Sequence, residues 1–250
     1  MKTLFQKSAL VNVLLVFVFG FAQARGAKAP EIGVDVQTNA TEAAIWGMPI
    51  VAMDAMRQAY FRDAHAQYND VVILSKGWKN QVTTPNSSSI YLYFNYNLAN
   101  GPVVVDIPAA VGGGIFGSFN NAWQKPLADY GPKGEDFGKG GKYILIPPDF
   151  KAAIPPGYIE VKSDTINGYS VVRAIPLSNS DDDTRKVMEL AAKLKVYPIE
   201  QAENPHETRF IDMRDKLFDG IAAMDERFFQ SLARMVNEEP VLPEIGRAHV

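Results

Sequence analysis

The alternation of aliphatic and polar side chains is clearest at Ile90–Tyr96, in the first half of the chain. Ile90, Leu92 and Phe94 occupy every second position, with tyrosines and an asparagine between them. A period of two places the aliphatic groups on one face of a β-strand and the phenol groups on the other. Aromatic side chains also favour extended backbone. The segment therefore predicts a strand with one core face and one half-exposed tyrosine face.

Six further short apolar runs predict strands, with no helical pattern between them. They are Val71–Leu74, Val103–Ile107, Ile115–Phe119, Tyr143–Ile146, Tyr158–Val161 and Tyr169–Ile175. Turn sequences rich in glycine, proline and asparagine separate the runs. Seven short strands in succession indicate an antiparallel sandwich or barrel, and we predict an antiparallel β-sandwich. The interval between Phe119 and Tyr143 is longer than a hairpin loop, and long loops often carry function.

Helical patterns lie on both sides of this β-rich part. Thr41 is a predicted N-cap, and Pro49 falls inside the pattern that follows, so the first helix is expected to be kinked or to begin at Pro49. Three short helices are predicted after residue 178: one begun by Asp181–Asp183, one over Phe210–Leu217 and one capped by Asp225. The predicted fold class is mainly β with α: a helix, an antiparallel β-sandwich (41–178) and a small helical subdomain (179–244).

The first 24 residues have the pattern of a secretory signal peptide. Lys2 and Lys7 precede the apolar run Ala9–Phe21, and Ala22–Ala24 is a small-residue cleavage site. The apolar run is too short for a stable membrane span. We therefore expect an exported, periplasmic protein that leaves the membrane after cleavage, with residues 25–40 as a flexible lead-in.

The last six residues, Ile245–Val250, match the translation of a common sequencing adapter in one reading frame. We therefore expect the natural sequence of this fragment to end near Glu244 and the complete protein to continue beyond it. A further C-terminal domain of the same protein is then the first expected partner.

The composition excludes several classes of function. The 250 residues, 47% of them hydrophobic, allow a sizeable core. The absence of cysteine excludes disulfides, a thiol nucleophile and cysteine-ligated metals. A net charge of −3 argues against a nucleic-acid partner. The three histidines, His65, His206 and His249, lack metal-ligand spacing, so we expect neither a metal nor a cofactor.

Three sequence features bear on possible chemistry. Gly112, Gly114 and Gly117 have the spacing of a dinucleotide-binding fingerprint, but the residues that follow indicate a strand where the motif needs a helix. No Gly-x-Ser-x-Gly sequence is present, which excludes an α/β-hydrolase. Ser87–Ser89 are available to a triad of distant residues, although the same serines also fit a simple turn after Pro85.

Two groups of residues are candidates for lining a ligand site. Asn86, Tyr91 and Tyr93 lie at the turn and on the tyrosine face of the strand that follows; the alternative is that the tyrosines only cover a sheet. Asn121 and Trp123 lie in an amide-rich segment, where an indole ring stacks on a ligand ring and amides bind hydroxyl groups. The alternative there is a loop anchored by one buried tryptophan.

Arg173 is the sixth candidate. It lies in the middle of an apolar strand, and a buried guanidinium requires a partner. We therefore predict that Arg173 pairs with a carboxylate or a ligand at the edge of the sandwich.

Several short motifs, in this order, resemble domain-of-unknown-function family 1254, over most of residues 42–240. They are Trp46–Pro49, Thr84–Asn86 with Tyr91, Gly101–Val104, Gly140–Tyr143 with Pro147–Pro148, and Val172–Arg173. The resemblance implies a β-sandwich domain, a helical segment and a second, jelly-roll domain (family 1214), which this chain would lack. Members are often exported bacterial proteins. Ser88 and Ser89 stand where the family commonly has aspartate and threonine, which puts any role of that aspartate in doubt here.

The leading functional hypothesis is small-molecule binding, or assembly with the missing C-terminal domain. One alternative is a hydrolase of esters or glycans, with a site around His65, His206 and the segment near residue 120. Another is a structural envelope protein that forms homo-oligomers. The sequence leaves open whether the protein is an enzyme.

Overall fold

The computed structural model describes residues 34–74, 79–81, 89–111, 113–240 and 242. The signal peptide, residues 25–33 of the lead-in, Asn86, residues 87–88 and the tail 245–250 therefore lie outside the described residues. The chain divides into two compact units, Met1–Glu42 and Ala43–Val250. The described part of the first unit, residues 34–42, is helical, and the second unit contains all of the strands.

Helix α1 covers Val34–Arg62 and contains Pro49. Proline has no N–H to donate to the carbonyl of Ile45, so one helical hydrogen bond is missing there. The predicted N-cap at Thr41 is wrong, because Thr41 lies inside the helix and its hydroxyl donates to the carbonyl of Gln37 at 2.9 Å. Threonine makes this bond to the preceding turn as readily as a cap bond, so its presence does not mark a helix start. Residues 34–40 are likewise helical, although they belong to the predicted flexible lead-in.

Twelve strands and two further helices follow in the described part of the chain. The strands are β1 Val71–Leu74, β2 Lys79–Gln81, β3 Ile90–Asn97, β4 Val103–Ile107, β5 Gly114–Asn121, β6 Pro126–Tyr130, β7 Gly141–Ile146, β8 Ile159–Lys162, β9 Asn167–Ile175, β10 Lys195–Pro198, β11 Phe210–Asp212 and β12 Leu217–Asp219. The helices are α2 Asp181–Ala191 and α3 Glu226–Glu238, and Ile199–Gln201 forms a 3₁₀ turn. All seven predicted strands are present. Strand β6 lies inside the interval that was predicted as a long loop.

The strands form two large sheets and one small one. The six-stranded sheet has the order β11-β1-β3-β9-β5-β6, the four-stranded sheet β10-β4-β7-β8, and β12 pairs with β2. Most pairs are antiparallel, but β1 with β11, β7 with β8, and β2 with β12 are parallel. The fold is therefore mainly β with helices, as predicted, and its sheets are mixed rather than purely antiparallel.

The segment after residue 178 contains two of the three predicted helices. The side chains of Ser180 and Asp225 accept hydrogen bonds from the first turns of α2 and α3. The helix predicted over Phe210–Leu217 is wrong, because Phe210–Asp212 pairs with β1 and Leu217 begins β12. Strand β10 also joins the four-stranded sheet, so this segment is built into both large sheets instead of forming a helical subdomain. Tertiary strand pairing has overridden a local helical spacing.

One hydrophobic cluster takes side chains from both large sheets, for example Leu92 and Phe119 from one and Val105 and Tyr143 from the other. On its opposite face, the six-stranded sheet packs against the second half of α1 through Tyr93 and its neighbours. A third cluster joins α1 to α3. Helix α1 thus lies over the β1–β3 side of this outer face. None of the helices in the described ranges is both long and apolar enough to cross a membrane.

Candidate functional site

Strands β5 and β9 pair along their whole length, from Gly114 opposite Ile175 to Asn121 opposite Gly168. Phe119 and Val172 belong to the core that both large sheets share. Side chains alternate along a strand, so their neighbours face away from that core. This alternation brings a row of outward side chains together on two adjacent strands: Phe116, Ser118 and Asn120 of β5, and Val171 and Arg173 of β9.

These side chains line a pocket of about 370 Å³, which we call the β5–β9 pocket. Strand β6 and the turn after it complete the lining with Asp129, Tyr130, Lys133 and Gly134, and Gly117 also contributes. The volume lies within the range of small-molecule sites. A Cβ atom on Gly117 would lie 2.0 Å from the hydroxyl oxygen of Tyr130, so this position requires glycine.

Arg173 is exposed, and its guanidinium carbon lies 5.8 Å from the centre of the Tyr91 ring. Tyr91 and Phe116 are its cross-strand partners on either side. Of the two predicted partners, a carboxylate or a ligand, the carboxylate is not found: no ion pair among the described residues includes Arg173. The apolar neighbours Val172 and Ala174 face the core, whereas Arg173 faces the pocket, so the guanidinium is not buried.

The polar groups of the pocket are partly ordered by each other. The hydroxyl of Ser118 donates to Asp129 Oδ1 at 2.5 Å, and Asn120 Nδ2 donates to the carbonyl of Ser118 at 3.1 Å. On the core side of the sheet, the hydroxyl groups of Tyr130 and Ser170 lie 2.8 Å apart. Burial raises the pKa of Tyr130, so its phenol stays neutral at physiological pH. The charged residue types that line the pocket are Arg173, Lys133 and Asp129.

Of the remaining predicted residues, Tyr91 lies beside this pocket and Tyr93 does not. Tyr93 is buried between the sheet and α1, with ring centres 5.9 Å from Tyr60 and 6.5 Å from Phe218. Its hydroxyl donates to Asn95 Oδ1 at 3.1 Å, and burial raises its pKa.

Asn121 and Trp123 build the connection between β5 and β6. Asn121 is buried; its amide donates to Asp164 at 2.6 Å, and its oxygen accepts from the backbone N–H groups of Trp123 and Lys125. The Trp123 ring packs against Trp46 at 4.7 Å, and its Nε1 is buried without a hydrogen-bond partner among the described residues. Neither side chain lines the β5–β9 pocket.

The sequence pattern did not single out Phe116, Ser118, Asp129 or Lys133. Phe116 and Ser118 could have been found from the sequence, since they alternate with the apolar Ile115 and Phe119 in a predicted strand and therefore face away from the core. Asp129 and Lys133 lie in the interval predicted as a loop, where the sequence offers no period from which their direction follows.

A second polar cluster lies between α1 and α3 and is almost closed to solvent. Arg57, 2% exposed, contacts Asp54 at 2.8 Å and Glu238 at 2.6 Å, and donates to Asn167 Oδ1 at 3.0 Å. Burial raises the pKa of Asp54, but hydrogen bonds from Arg234 and others, together with the Arg57 charge, outweigh it and hold the pKa below its ordinary value. This network joins α1, α3 and β9, and its groups are satisfied by each other, so its role is structural.

The histidines expected near a hydrolase site are exposed. His65 lies after α1 at a φ of 50°, and the ring of His206 contacts the side chain of Gln201. Neither lines the β5–β9 pocket. The described residues also contain no group of three or more histidine, aspartate or glutamate side chains placed to hold a metal ion.

This chain matches a protein-family model and solved structures of other proteins. The family model described as a protein of unknown function (DUF1254) matches residues 65–198. Among solved structures, the VPA0106 protein from Vibrio parahaemolyticus matches with a TM-score of 0.55 and 14% identity, over 79% of this chain and 46% of that one. An uncharacterized protein from Burkholderia cenocepacia matches with a TM-score of 0.35 and 14% identity, over 84% and 51%. The search of curated proteins gives no match.

The chain therefore spans about half the length of these two solved proteins. At 14% identity, the likeness to the Vibrio protein concerns the fold alone. The family match covers more than half of the present sequence, including all of β1–β10 and α2. This chain is a member of the DUF1254 family of proteins of unknown function.

Proposed function

We propose that this protein binds a small molecule in the β5–β9 pocket. The observation that carries the proposal is the state of Arg173: it lies against Tyr91 in a pocket of about 370 Å³ without a carboxylate partner among the described residues. An oriented guanidinium with free N–H groups is a common anchor for a polar ligand. Phe116 and Val171 supply the apolar surface that such sites also need.

Binding is better supported than hydrolysis. Ser118 is hydrogen-bonded to Asp129, but no histidine lies among the residues that line the pocket. A serine nucleophile needs a base that removes its proton and returns it to the leaving group, and imidazole is the usual one. The Ser118–Asp129 pair is therefore better suited to orienting a ligand hydroxyl or amine.

A screen of neutral, anionic and cationic small molecules by thermal shift tests the binding proposal. Hits are then titrated against the protein, and amide chemical shifts are followed by NMR. We expect at least one hit to move the signals of Ser118 and Arg173, and Ser118→Tyr, which fills the pocket, to abolish this response. Glu160→Tyr, on an exposed position of the other sheet, is the matched control. Hits that move only signals elsewhere, or that bind Ser118→Tyr equally well, contradict the proposal.

Assembly with a further domain is the second candidate function. Ile45, Phe229 and Val236 expose large apolar side chains on α1 and α3, at 68%, 44% and 42%. The chain also matches only half of each solved protein. If this surface is normally covered, the present chain will bind a hydrophobic dye, and Phe229→Glu with Val236→Glu will reduce the binding. Lys162→Glu is the control, and equal dye binding by all three proteins would argue against this surface as the interface.

We also propose that the two large sheets pack face to face as a β-sandwich. The supporting observation is the single cluster to which Leu92, Phe119, Val105 and Tyr143 all belong. Replacing Leu92 and Val105 by alanine, singly and together, tests contact across the sheets. Non-additive losses of stability are expected, and strictly additive ones would count against direct packing.

Export to the periplasm remains a proposal that rests on the first 24 residues of the sequence. Expression in a Gram-negative bacterium, followed by fractionation and determination of the mature N-terminus, tests it. A mature chain that begins at Arg25 in the periplasmic fraction is expected, whereas an uncleaved cytoplasmic chain would refute it.

A further inference from the structure

The charges of the β5–β9 pocket are unbalanced. Arg173 and Lys133 carry positive charge and Asp129 carries the one negative charge among the lining residues. No ion pair between described residues uses either cation. The excess of one positive charge matches a ligand with a single negative charge better than it matches a dianion or a neutral molecule.

The guanidinium of Arg173 contacts an aromatic ring of the neighbouring strand. Its guanidinium lies over Tyr91, and its strand position is opposite Phe116. A cation–π contact occupies the face of the guanidinium plane and leaves the N–H groups at its edge free. Those N–H groups match the two oxygens of a carboxylate.

The second polar group lies a short distance along the sheet. Asp129 on β6 pairs with Ser118 on β5, two residues beyond Phe116 and about 7 Å along the strand. Since β5 lies between β6 and β9, Asp129 and Arg173 are on opposite sides of β5. Ser118 already donates its proton to Asp129, so this pair offers acceptor oxygens to a ligand. A ligand with a carboxylate at one end and a hydrogen-bond donor at the other therefore satisfies both ends of the pocket.

We infer that the β5–β9 pocket selects a small monocarboxylate with a hydroxyl group at its far end, an inference that rests on the proposed binding function. Arg173 and Lys133 bind the carboxylate, Asp129 and Ser118 accept the hydrogen bond of the far group, and Phe116 and Val171 contact the apolar part between them.

Three related probes test this selection by NMR titration. 4-Hydroxyphenylacetate has both groups, phenylacetate lacks the hydroxyl, and 2-(4-hydroxyphenyl)ethanol lacks the carboxylate. We expect the first to bind most tightly and the neutral alcohol to bind at least tenfold more weakly (about 1.4 kcal/mol). Arg173→Gln should remove the preference for the acid, and Asp129→Asn should reduce the preference for the hydroxylated acid. Lys162→Gln, on an exposed position of β8, should change neither.

Three results overturn the inference. The first is equal binding of the acid and the alcohol, the second is an affinity for the acid that does not change in Arg173→Gln, and the third is that none of the three probes shifts any signal. Thermal unfolding of each variant checks that it is folded. A failure here is distinct from failure of the binding proposal: a neutral hit that moves Ser118 in the general screen keeps that proposal and rejects selection for a monocarboxylate.

Discussion

Replacing Arg57 by methionine tests whether the buried network holds α1, α3 and β9 together. The guanidinium is 2% exposed, and its loss removes contacts to Asp54, Tyr68, Asn167 and Glu238. Breaking one side of a buried ion pair costs about 3–5 kcal/mol. Because the side chain of Glu238 is 37% exposed and can be hydrated, we expect a value near the lower end, about 3 kcal/mol. Urea unfolding measures this change directly.

Two comparisons make the result decisive. Arg185→Met removes ion pairs with Asp182 and Glu189, but Arg185 is 60% exposed, so its loss should change the stability much less than the loss of Arg57. The double variant Asp54→Leu with Arg57→Met also removes the carboxylate that Ser231 and Arg234 contact, so it should be less stable than Arg57→Met alone. If Arg57→Met costs no more than Arg185→Met, the network does not have the structural role assigned to it.

Three further predictions concern other parts of the fold. The pKa of Asp54 is lower in the folded protein than its unfolded value of about 3.9, so the ionised carboxylate stabilises the folded state above that pH. This stabilisation is lost as the pH falls through the folded pKa. In urea unfolding, the difference in stability between wild type and Asp54→Asn should therefore shrink below about pH 4, and a constant difference would show that Asp54 is not the titrating group. Gly117→Ala should destabilise the protein by about 1–3 kcal/mol in thermal unfolding, because its Cβ collides with Tyr130; an unchanged Tm would mean that the ring moves freely. Trp123→Phe should destabilise less than Trp123→Ala, since phenylalanine keeps most of the contact with Trp46 and removes a buried N–H without a partner among the described residues; equal losses would contradict this.

The strands were predictable because their signal is local. Period-two alternation located β3, and short apolar runs located β9 to within two residues at each end and β4 at its observed bounds, Val103–Ile107. The error at Phe210–Leu217 has the same origin, because apolar side chains three and four residues apart also mimic a helix. Strands β11 and β12 in this segment form by pairing with β1 and β2, more than a hundred residues earlier in the chain.

The site was less predictable, because it depends on which side of a sheet each residue faces and on partners distant in sequence. Arg173 was predicted to need a partner, but its outward direction follows only once Val172 and Ala174 are assigned to the core. The contacts of Arg57 to Asn167 and Glu238 span 110 and 181 residues, and no local pattern contains them.

A crystal structure of the protein with the strongest hit from the ligand screen tests the central claim most directly. We expect the ligand to lie on β5 and β9, with an acidic group at Arg173 and Lys133 and its remainder between Phe116 and Ser118. A ligand bound at another surface, with Arg173 still resting on Tyr91 and the β5–β9 pocket holding solvent alone, would contradict the account.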